Sequence, residues 1–546
     1  MAYMAYIERN EIVAALEHAP QLKEYLYRNG FIITNDKLAL SEEYPFYANW
    51  RFIEVGGFSI YLHCTENAYV YANAGVKHFL IGHAYNPFLM KTDEMDILQD
   101  LAHALDNGEE TYWECESQLT GVFCIGYITA SAITYTTDCA GMQLVYHGVI
   151  NNKIYITSHS KIVADLLNLR QPEYIQRLVS NKYWHYWGTW LPGDLSPFDE
   201  LKRMVPNHAG VFEMRTATET VHRFYPTEKV IEKNSETDYV NTIHELGRIM
   251  SNTMKCIAEK WNGGKVSISV TGGRDSLTAL ACAKEVYDKL DYFSYISNVD
   301  ESVDAYAARD ILAHLNLKHG IFEIPEQWDG YQYLPEFKLV MECNNGCIGA
   351  NNANDLKKRL YFTQNPPCDV EVKSWVNEMG RGWYYNKYNK RKFPQYPYAS
   401  YWRAMHKVYL SKYLIQETDK VFSDYLAAYY DKTCFDRIHW LELYFWEFAW
   451  SGGEGVFLTT EQRVPYDITI PFNNRKYIEL MLTVPLKKRI ADDIPNDLIK
   501  YMNPIIAETG ITVHDISHTS FRAIVVRTYL ELFSHIRFFR KREHYE

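Results

Sequence analysis

Thr271-Gly272-Gly273-Arg274-Asp275-Ser276 sets two glycines, two hydroxyls and a carboxylate side by side, a combination suited to gripping an oxyanion. Just before it, Val266, Ile268 and Val270 alternate with Ser267 and Ser269, the period of a strand. Just after it, Leu277 to Tyr287 is rich in Ala and Leu and reads as a helix. A strand that turns through glycines into a helix N-terminus presents unpaired N–H groups and the positive end of the helix dipole, so the turn is an anion cradle. A Walker loop is excluded, because the only Gly-Gly-Lys, at Gly263 to Lys265, precedes the strand and is followed by Val266. A Gly-x-Gly-x-x-Gly dinucleotide fingerprint is absent as well. The plain alternative is a strand, turn and helix whose small residues serve packing alone.

The loop resembles the Ser-Gly-Gly-x-Asp-Ser loop of the ATP pyrophosphatase (PP-loop) family, with Thr271 keeping the hydroxyl of the usual first serine. The resemblance implies ATP cleaved between its α and β phosphates, with Thr271, Gly272, Gly273 and Ser276 on phosphate and Asp275 on Mg²⁺. Later runs resemble the asparagine synthetase family: Pro471-Phe472-Asn473-Asn474-Arg475 and Leu482-Thr483-Val484-Pro485-Leu486, then Lys500 and Pro504. Glu371 to Tyr385 matches that family's second metal loop in part. Ending the match on Glu378 and Gly382 puts Asn377 where the family has a metal-binding Asp, and Ser374 where it has a catalytic Glu. Glu378 is expected on Mg²⁺ and Arg381 on a phosphate or carboxylate, since hard oxygens suit Mg²⁺ and guanidinium suits oxyanions. A glycine-rich turn with a solvated ion pair is the alternative. Lys500 stands in for the family's late lysine, because Ile511 to Phe521 has none. Asp300 and Glu301 suit either helix capping or nucleotide proximity, and His319 reads as structural.

These motifs need a scaffold, and the pattern from Tyr239 onward supplies one: a helix to Trp261, the loop strand, a strand at Tyr292 to Ile296, a helix at Val303 to Leu315 and a strand at Gly320 to Ile324. Past Tyr401 come aromatic-rich helices, Tyr401 to Ile415, Val421 to Tyr430 and Asp436 to Ala449, and a break at Gly452, Gly453 and Gly455. The first half differs. Ile7 to Tyr27 reads as helical, Phe31 to Thr34 as a strand, and from Trp50 short alternating strands surround one helix, Met95 to Leu105, which suggests a layered α+β sandwich. Gly121-Val122-Phe123, Asp138 to Tyr146, Ser158-His159-Ser160-Lys161 and Leu201 to His208 resemble the glutaminase domain of asparagine synthetase, an N-terminal nucleophile hydrolase that begins with Cys. Here the first cysteine is Cys64, so the thiolate and adjacent α-amine of that chemistry are missing and glutaminase activity is expected to be lost. The expected fold is therefore an inactive α+β sandwich of that type over residues 1–230, and an α/β parallel-sheet PP-loop synthetase domain with a helical C-terminal part over 231–546, joined within Pro226 to Asp238.

The whole composition limits the function further. A net charge of -12 over 546 residues argues against a nucleic-acid partner, and with it against PP-loop thiolation of a nucleobase. Ten cysteines without a paired framework suit a reducing cytoplasm, and Cys343 and Cys347 read as buried thiols rather than a zinc site. No apolar run reaches a membrane-spanning length, so no membrane partner is expected. Met1-Ala2-Tyr3-Met4-Ala5-Tyr6 looks like a doubled start, and the closing Arg537 to Arg542 reads as a solvated basic helix end. The resulting expectation is an ATP- and Mg²⁺-dependent ligase, a candidate homo-oligomer, that joins a small-molecule or peptide carboxylate to an amine, with Asp275, Glu378, Arg381 and Lys500 as catalytic residues. The amine comes from solution or from the substrate itself, as in the β-lactam synthetases and lasso-peptide cyclases that the chain also resembles. Arg381 with Trp383, Tyr384 and Tyr385 is expected to grip a bulky acid, and the amine to be larger than ammonia. A degenerate nucleotide-binding or scaffold protein is the other reading.

Overall fold

The computed structural model describes residues 6–181, 184, 190–349, 353–406, 411–511, 513 and 520–535. The doubled start and the closing basic run fall outside them, as does most of 511–521.

Twelve strands form two six-stranded antiparallel sheets among the described residues. In chain order they are β1 (Phe31–Thr34), β2 (Trp50–Val55), β3 (Phe58–His63), β4 (Ala68–Asn73), β5 (Val76–Tyr85), β6 (Thr120–Ile128), β7 (Ala132–Thr137), β8 (Tyr146–Ile150), β9 (Lys153–Thr157), β10 (Lys202–Arg203), β11 (His208–Glu213) and β12 (Thr218–Arg223). One sheet runs β10-β8-β9-β1-β3-β2 and the other β12-β11-β7-β6-β5-β4. Strand alternation sorts the side chains. Phe31, Ile33, Ile60 and Leu62 face Phe79, Ile81, Cys124 and Ile133 in the core between the sheets, while Ile32 and Tyr61 point outward. Helices cover both outer faces: Glu94–Asp106 and Glu109–Glu116 on one, Arg9–His18 and Ser160–Leu167 on the other. The expected layered sandwich is present. Its second outer layer also takes Phe337, Val340 and Met341 from the helix Leu334–Asn344, so the chain after residue 230 helps to build the first unit.

The second unit is a five-stranded parallel sheet, β15-β14-β13-β16-β17, with β13 Val266–Ser269, β14 Asp291–Ile296, β15 Gly320–Glu323, β16 Val370–Val372 and β17 Asp467–Thr469. Helices Arg274–Cys282 and Val299–His314 make the first two crossovers, and the chain then returns to the other side of β13. The order therefore reverses between β13 and β16, where an open parallel sheet leaves a crevice beyond its C-terminal strand ends.

Two expectations in the helical part are corrected. Residues 401–415 are not one helix: Ala399–Met405 ends before the undescribed 407–410, and Lys412–Tyr429 follows with Ser411 as its cap. The glycines at 452, 453 and 455 do not break the chain either. It stays helical from Trp440 to Gln462, with wide π-type turns over Tyr444–Gly455 and Leu458–Gln462. These glycines serve close approach. A Cβ on Gly455 would lie 2.1 Å from the Gly141 carbonyl oxygen of the sandwich, and Gly453 lies against the Trp190 ring. Gly455→Ala is accordingly expected to destabilise the protein by about 1–3 kcal/mol, the usual scale for overpacking, read as a lowered urea midpoint. An unchanged midpoint would mean that the two backbones separate freely.

Buried polar contacts join the units. Asn473 donates to the Gly121 carbonyl (2.7 Å) and to Asp138 (2.8 Å), Tyr85 and Thr469 pair their hydroxyls at 2.6 Å, and Arg475 pairs with Glu116. No helix among the described residues is long and apolar enough to cross a membrane, and the ten cysteines form no disulfide.

Candidate active site

β13 ends at Ser269, and the turn that follows caps the helix Arg274–Cys282 with Gly273. The loop is tied by its own hydroxyls. Ser276 Oγ accepts from the Thr271 amide (3.1 Å) and lies 2.9 Å from Thr271 Oγ1, which in turn accepts from the Gly273 amide at 3.1 Å. Thr271 and Ser276 thus shape the cradle as well as line it. The Gly272 amide donates to Asp304 Oδ1 at 3.1 Å, so a carboxylate already occupies one position that an anionic ligand would take. Gly272 is a close-approach glycine, since a Cβ there would meet the Val513 side chain at 2.2 Å.

The crevice beyond β13, β14 and β16 is a cleft of about 300 Å³. Thr271, Gly273, Asp275 and Ser276 form one wall, Ser294, Glu301 and Asp304 a second, and Lys373, Ser374, Trp375 and Glu378 a third. Asp275 is held from the far side: Asn377 Nδ2 and Arg381 Nη1 donate to its two oxygens, each at 2.8 Å. Arg381 also donates to Asp492 (2.7 Å), as Arg274 does at 2.8 Å, and Tyr477 donates to the Asn377 amide oxygen at 3.2 Å. Burial pushes the Asp275 carboxyl above its ordinary range, with Arg381 pulling the other way. Burial, and next the Asp275 charge, pushes Glu378 up further, and Glu378 Oε2 is a buried oxygen with no hydrogen-bond partner. Val376, just ahead of this turn, has φ +80°, a strained position for a β-branched residue and one that such loops adopt at functional sites.

Asp275 and Glu378 are the residues that would hold a magnesium ion. They are hard oxygen donors on one cleft, and the unpartnered Glu378 Oε2 beside a second carboxylate is a charge arrangement a divalent cation relieves. Among the described residues no group of three His, Cys, Asp or Glu side chains surrounds a common point, so phosphate and water oxygens would have to complete the shell.

The sequence-based site residues divide clearly. Thr271, Gly273, Asp275, Ser276 and Glu378 line the cleft, while Gly272 lies behind it. Arg381 is committed to Asp275 and Asp492, which corrects the expectation that it grips a phosphate or carboxylate. Lys500 is exposed on the helix Asp493–Met502 and is not among the cleft's lining residues. Glu301 accepts from Ser297 at the helix start, pairs with Lys358 at 3.0 Å and lines the cleft. His319 is structural and positions Ser294 Oγ at 2.9 Å; burial lowers its pKa to about 4. Lys373 and Asp304 were missed. Lys373 stands directly after β16, so the rule that ligands sit beyond the C-terminal ends of parallel strands is the signal for it.

Cys64, the one exposed cysteine, follows β3, and its amide donates to the Asn49 carbonyl at 2.6 Å, an ordinary mid-chain bond.

Comparison with protein-family models finds no match, and neither does comparison with curated protein sequences. Among solved structures, the chain is similar to glutamine phosphoribosylpyrophosphate amidotransferase from B. subtilis complexed with ADP and GMP, at 12% identity and a TM-score of 0.22, over 53% of this chain and 64% of that one. A structure described as the allosteric regulatory enzyme of purine biosynthesis is similar at 12% identity and a TM-score of 0.23, over 50% and 62%. The alignments span less than two thirds of either structure. At this level they assign no chemistry to the cleft.

Proposed function

We propose that the cleft binds ATP with Mg²⁺ and converts a carboxylate into an acyl-adenylate, which an amine then turns into an amide. In the first step a carboxylate oxygen attacks the α phosphorus and pyrophosphate leaves with the bonding electrons. In the second the amine, after losing its ammonium proton to water, attacks the acyl carbon through the nitrogen lone pair, the bond to AMP breaks, AMP leaves with that electron pair, and the nitrogen gives up its remaining excess proton to water. The observation that carries the reading is the strand–Thr-Gly-Gly-Arg-Asp-Ser–helix turn at the point where the parallel strand order reverses, facing Lys373 and Glu378 across the cleft. When bound, Mg²⁺ supplies charge neutralisation at the expelled pyrophosphate. Lys373, whose ammonium lies 4.8 Å over the Trp375 ring and 3.3 Å from Glu371, brings a cation to the same wall. The sandwich is read as a glutaminase-like domain, and the amine as coming from solution or from the substrate itself.

A second reading rests on two contacts: Asp304 on the Gly272 amide and Arg381 on Asp275 fill positions that phosphate and metal would take. It makes the protein a nucleotide binder without turnover. Incubation with ATP, Mg²⁺ and a panel of acid and amine pairs separates the two. AMP and pyrophosphate in equal amounts are expected; ADP and phosphate would refute the ligase reading, and tight ATP binding without any hydrolysis product would favour the second.

A further inference from the structure

A second pocket, of about 290 Å³, adjoins the cleft and shares Trp375 and Glu378 with it. Its walls are aromatic: Trp190, Trp383, Tyr384, Phe445 and Trp450 stand around Glu454. The π-type turns make this grouping possible. In a regular α-helix Phe445 and Glu454, nine residues apart, would point to opposite sides, about 3.6 residues making each turn. The i→i+5 bonding over Tyr444–Gly455 instead lets Phe445, Ala449, Trp450 and Glu454 share one face. The aromatic groups brace one another, with Trp383 and Phe445 parallel at 6.2 Å and Trp375 and Trp450 edge to face at 6.0 Å.

The polar groups on this surface are mostly acidic. Glu454 makes no hydrogen bond or salt bridge to a described residue, and Glu378 Oε2 is buried and unpartnered. The two lie close enough for Glu454 to add to the upward push on the Glu378 carboxyl, and burial raises Glu454 itself, with Lys373 pulling the other way. The lining also contains one cation, Lys387, whose ammonium is 5.0 Å over the Tyr384 ring. Tyr385 is turned away, 3.3 Å from His439, and Arg381 is committed elsewhere. Arg381 and Tyr385 therefore do not supply the expected grip on a bulky acid in this pocket.

We propose that this pocket holds the amine substrate, as a primary ammonium carried on a flat or bulky apolar body. Aromatic faces attract an ammonium through their quadrupoles, and the Glu454 carboxylate, which no described residue pairs, supplies acceptors for its N–H groups. The ring-lined walls take the apolar body. The wall shared with the first cleft sets the nitrogen at that cleft's mouth. Its role as nucleophile rests on the ligase reading; the binding itself does not.

Calorimetric titration of the full chain, without ATP, uses 2-phenylethylammonium as probe against the neutral 2-phenylethanol and the anionic 3-phenylpropanoate. The ammonium is expected to bind about tenfold or more tightly than the alcohol, the scale of a charge-assisted contact in a partly desolvated aromatic site. Glu454→Gln, checked for an unchanged unfolding midpoint, is expected to erase most of that difference, and Glu454→Asp to keep part of it. Equal binding of ammonium and alcohol, preference for the carboxylate, or no ammonium binding at low millimolar concentration would overturn the proposal. Preference for the ammonium in a protein that makes no AMP from any acid would leave the pocket standing and remove the ligase reading alone.

Discussion

Replacing Asp275 with Asn is expected to lower AMP and pyrophosphate production by about two orders of magnitude or more, the usual scale for losing a preorganised charge at the reacting group. Asp275 is the residue in which the cradle, the cleft and the proposed metal position meet. Its two oxygens are fixed by Asn377 and Arg381 on the protein side, so the carboxylate is held in place at the cleft wall. An amide keeps the shape but carries no charge and turns an NH₂ group toward one of its present donors. The fold is expected to tolerate the change, because Arg381 retains Asp492 as an ion-pair partner. The unfolding midpoint of the variant should therefore stay near the parent's while turnover falls. Turnover close to the parent's in a folded variant would remove Asp275 from the chemistry and with it the magnesium position. Loss of turnover together with ATP affinity would place its role in binding rather than in the transition state.

What made this site readable in the sequence is its locality. The alternation of Val266, Ile268 and Val270, two glycines and an Ala-rich helix fall within one strand–turn–helix, and the strand, the turn and the helix start appear where that pattern puts them. Glu378 was singled out through the partial resemblance of Glu371 to Tyr385 to a metal loop, and it lines the cleft. Asp304 was not, because its contact with Gly272 depends on how the Val299–His314 helix crosses back over the sheet. Arg381 was legible as a guanidinium near the site but not as the partner of Asp275, since a carboxylate more than a hundred positions away settles its use. The aromatic pocket was half-read. Trp383 and Tyr384 stood out, whereas Trp450 and Glu454 lie beside glycines that suggested a break, and the close approach of those glycines to Gly141 and Trp190 is a tertiary contact the local pattern does not carry.

The same packing sets up the largest effect expected on stability, at Arg223. This guanidinium, at the end of β12, forks onto both oxygens of Glu447 at 2.7 and 2.8 Å and also donates to the Tyr429 and Tyr225 carbonyls. Glu447 is fully buried and takes a further bond from Asn207 at 2.9 Å. Burial alone would raise the Glu447 carboxyl; Arg223 reverses this, and it lies below the ordinary range. Arg223→Met removes the cation and strands the carboxylate between the sandwich and the helical part, which costs about 3–5 kcal/mol when one partner of a buried pair is lost. The pH dependence identifies the cause. In the parent, a depressed carboxyl contributes stability that is present above the unfolded Glu range and is lost as pH falls through the folded value. In the variant the stranded carboxyl is raised, so its penalty is full at high pH and is relieved as the medium acidifies and a proton neutralises it. Urea midpoints of parent and variant should therefore lie far apart at about pH 7.5 and draw together toward about pH 5, nearer the ordinary Glu value. Arg223→Met with Glu447→Leu should recover part of the loss, since no charge is then left unpaired. A single variant that loses under about 1 kcal/mol, with a gap that does not narrow in acid, would show the pair to be an exposed-type contact and not the buried joint between the two units.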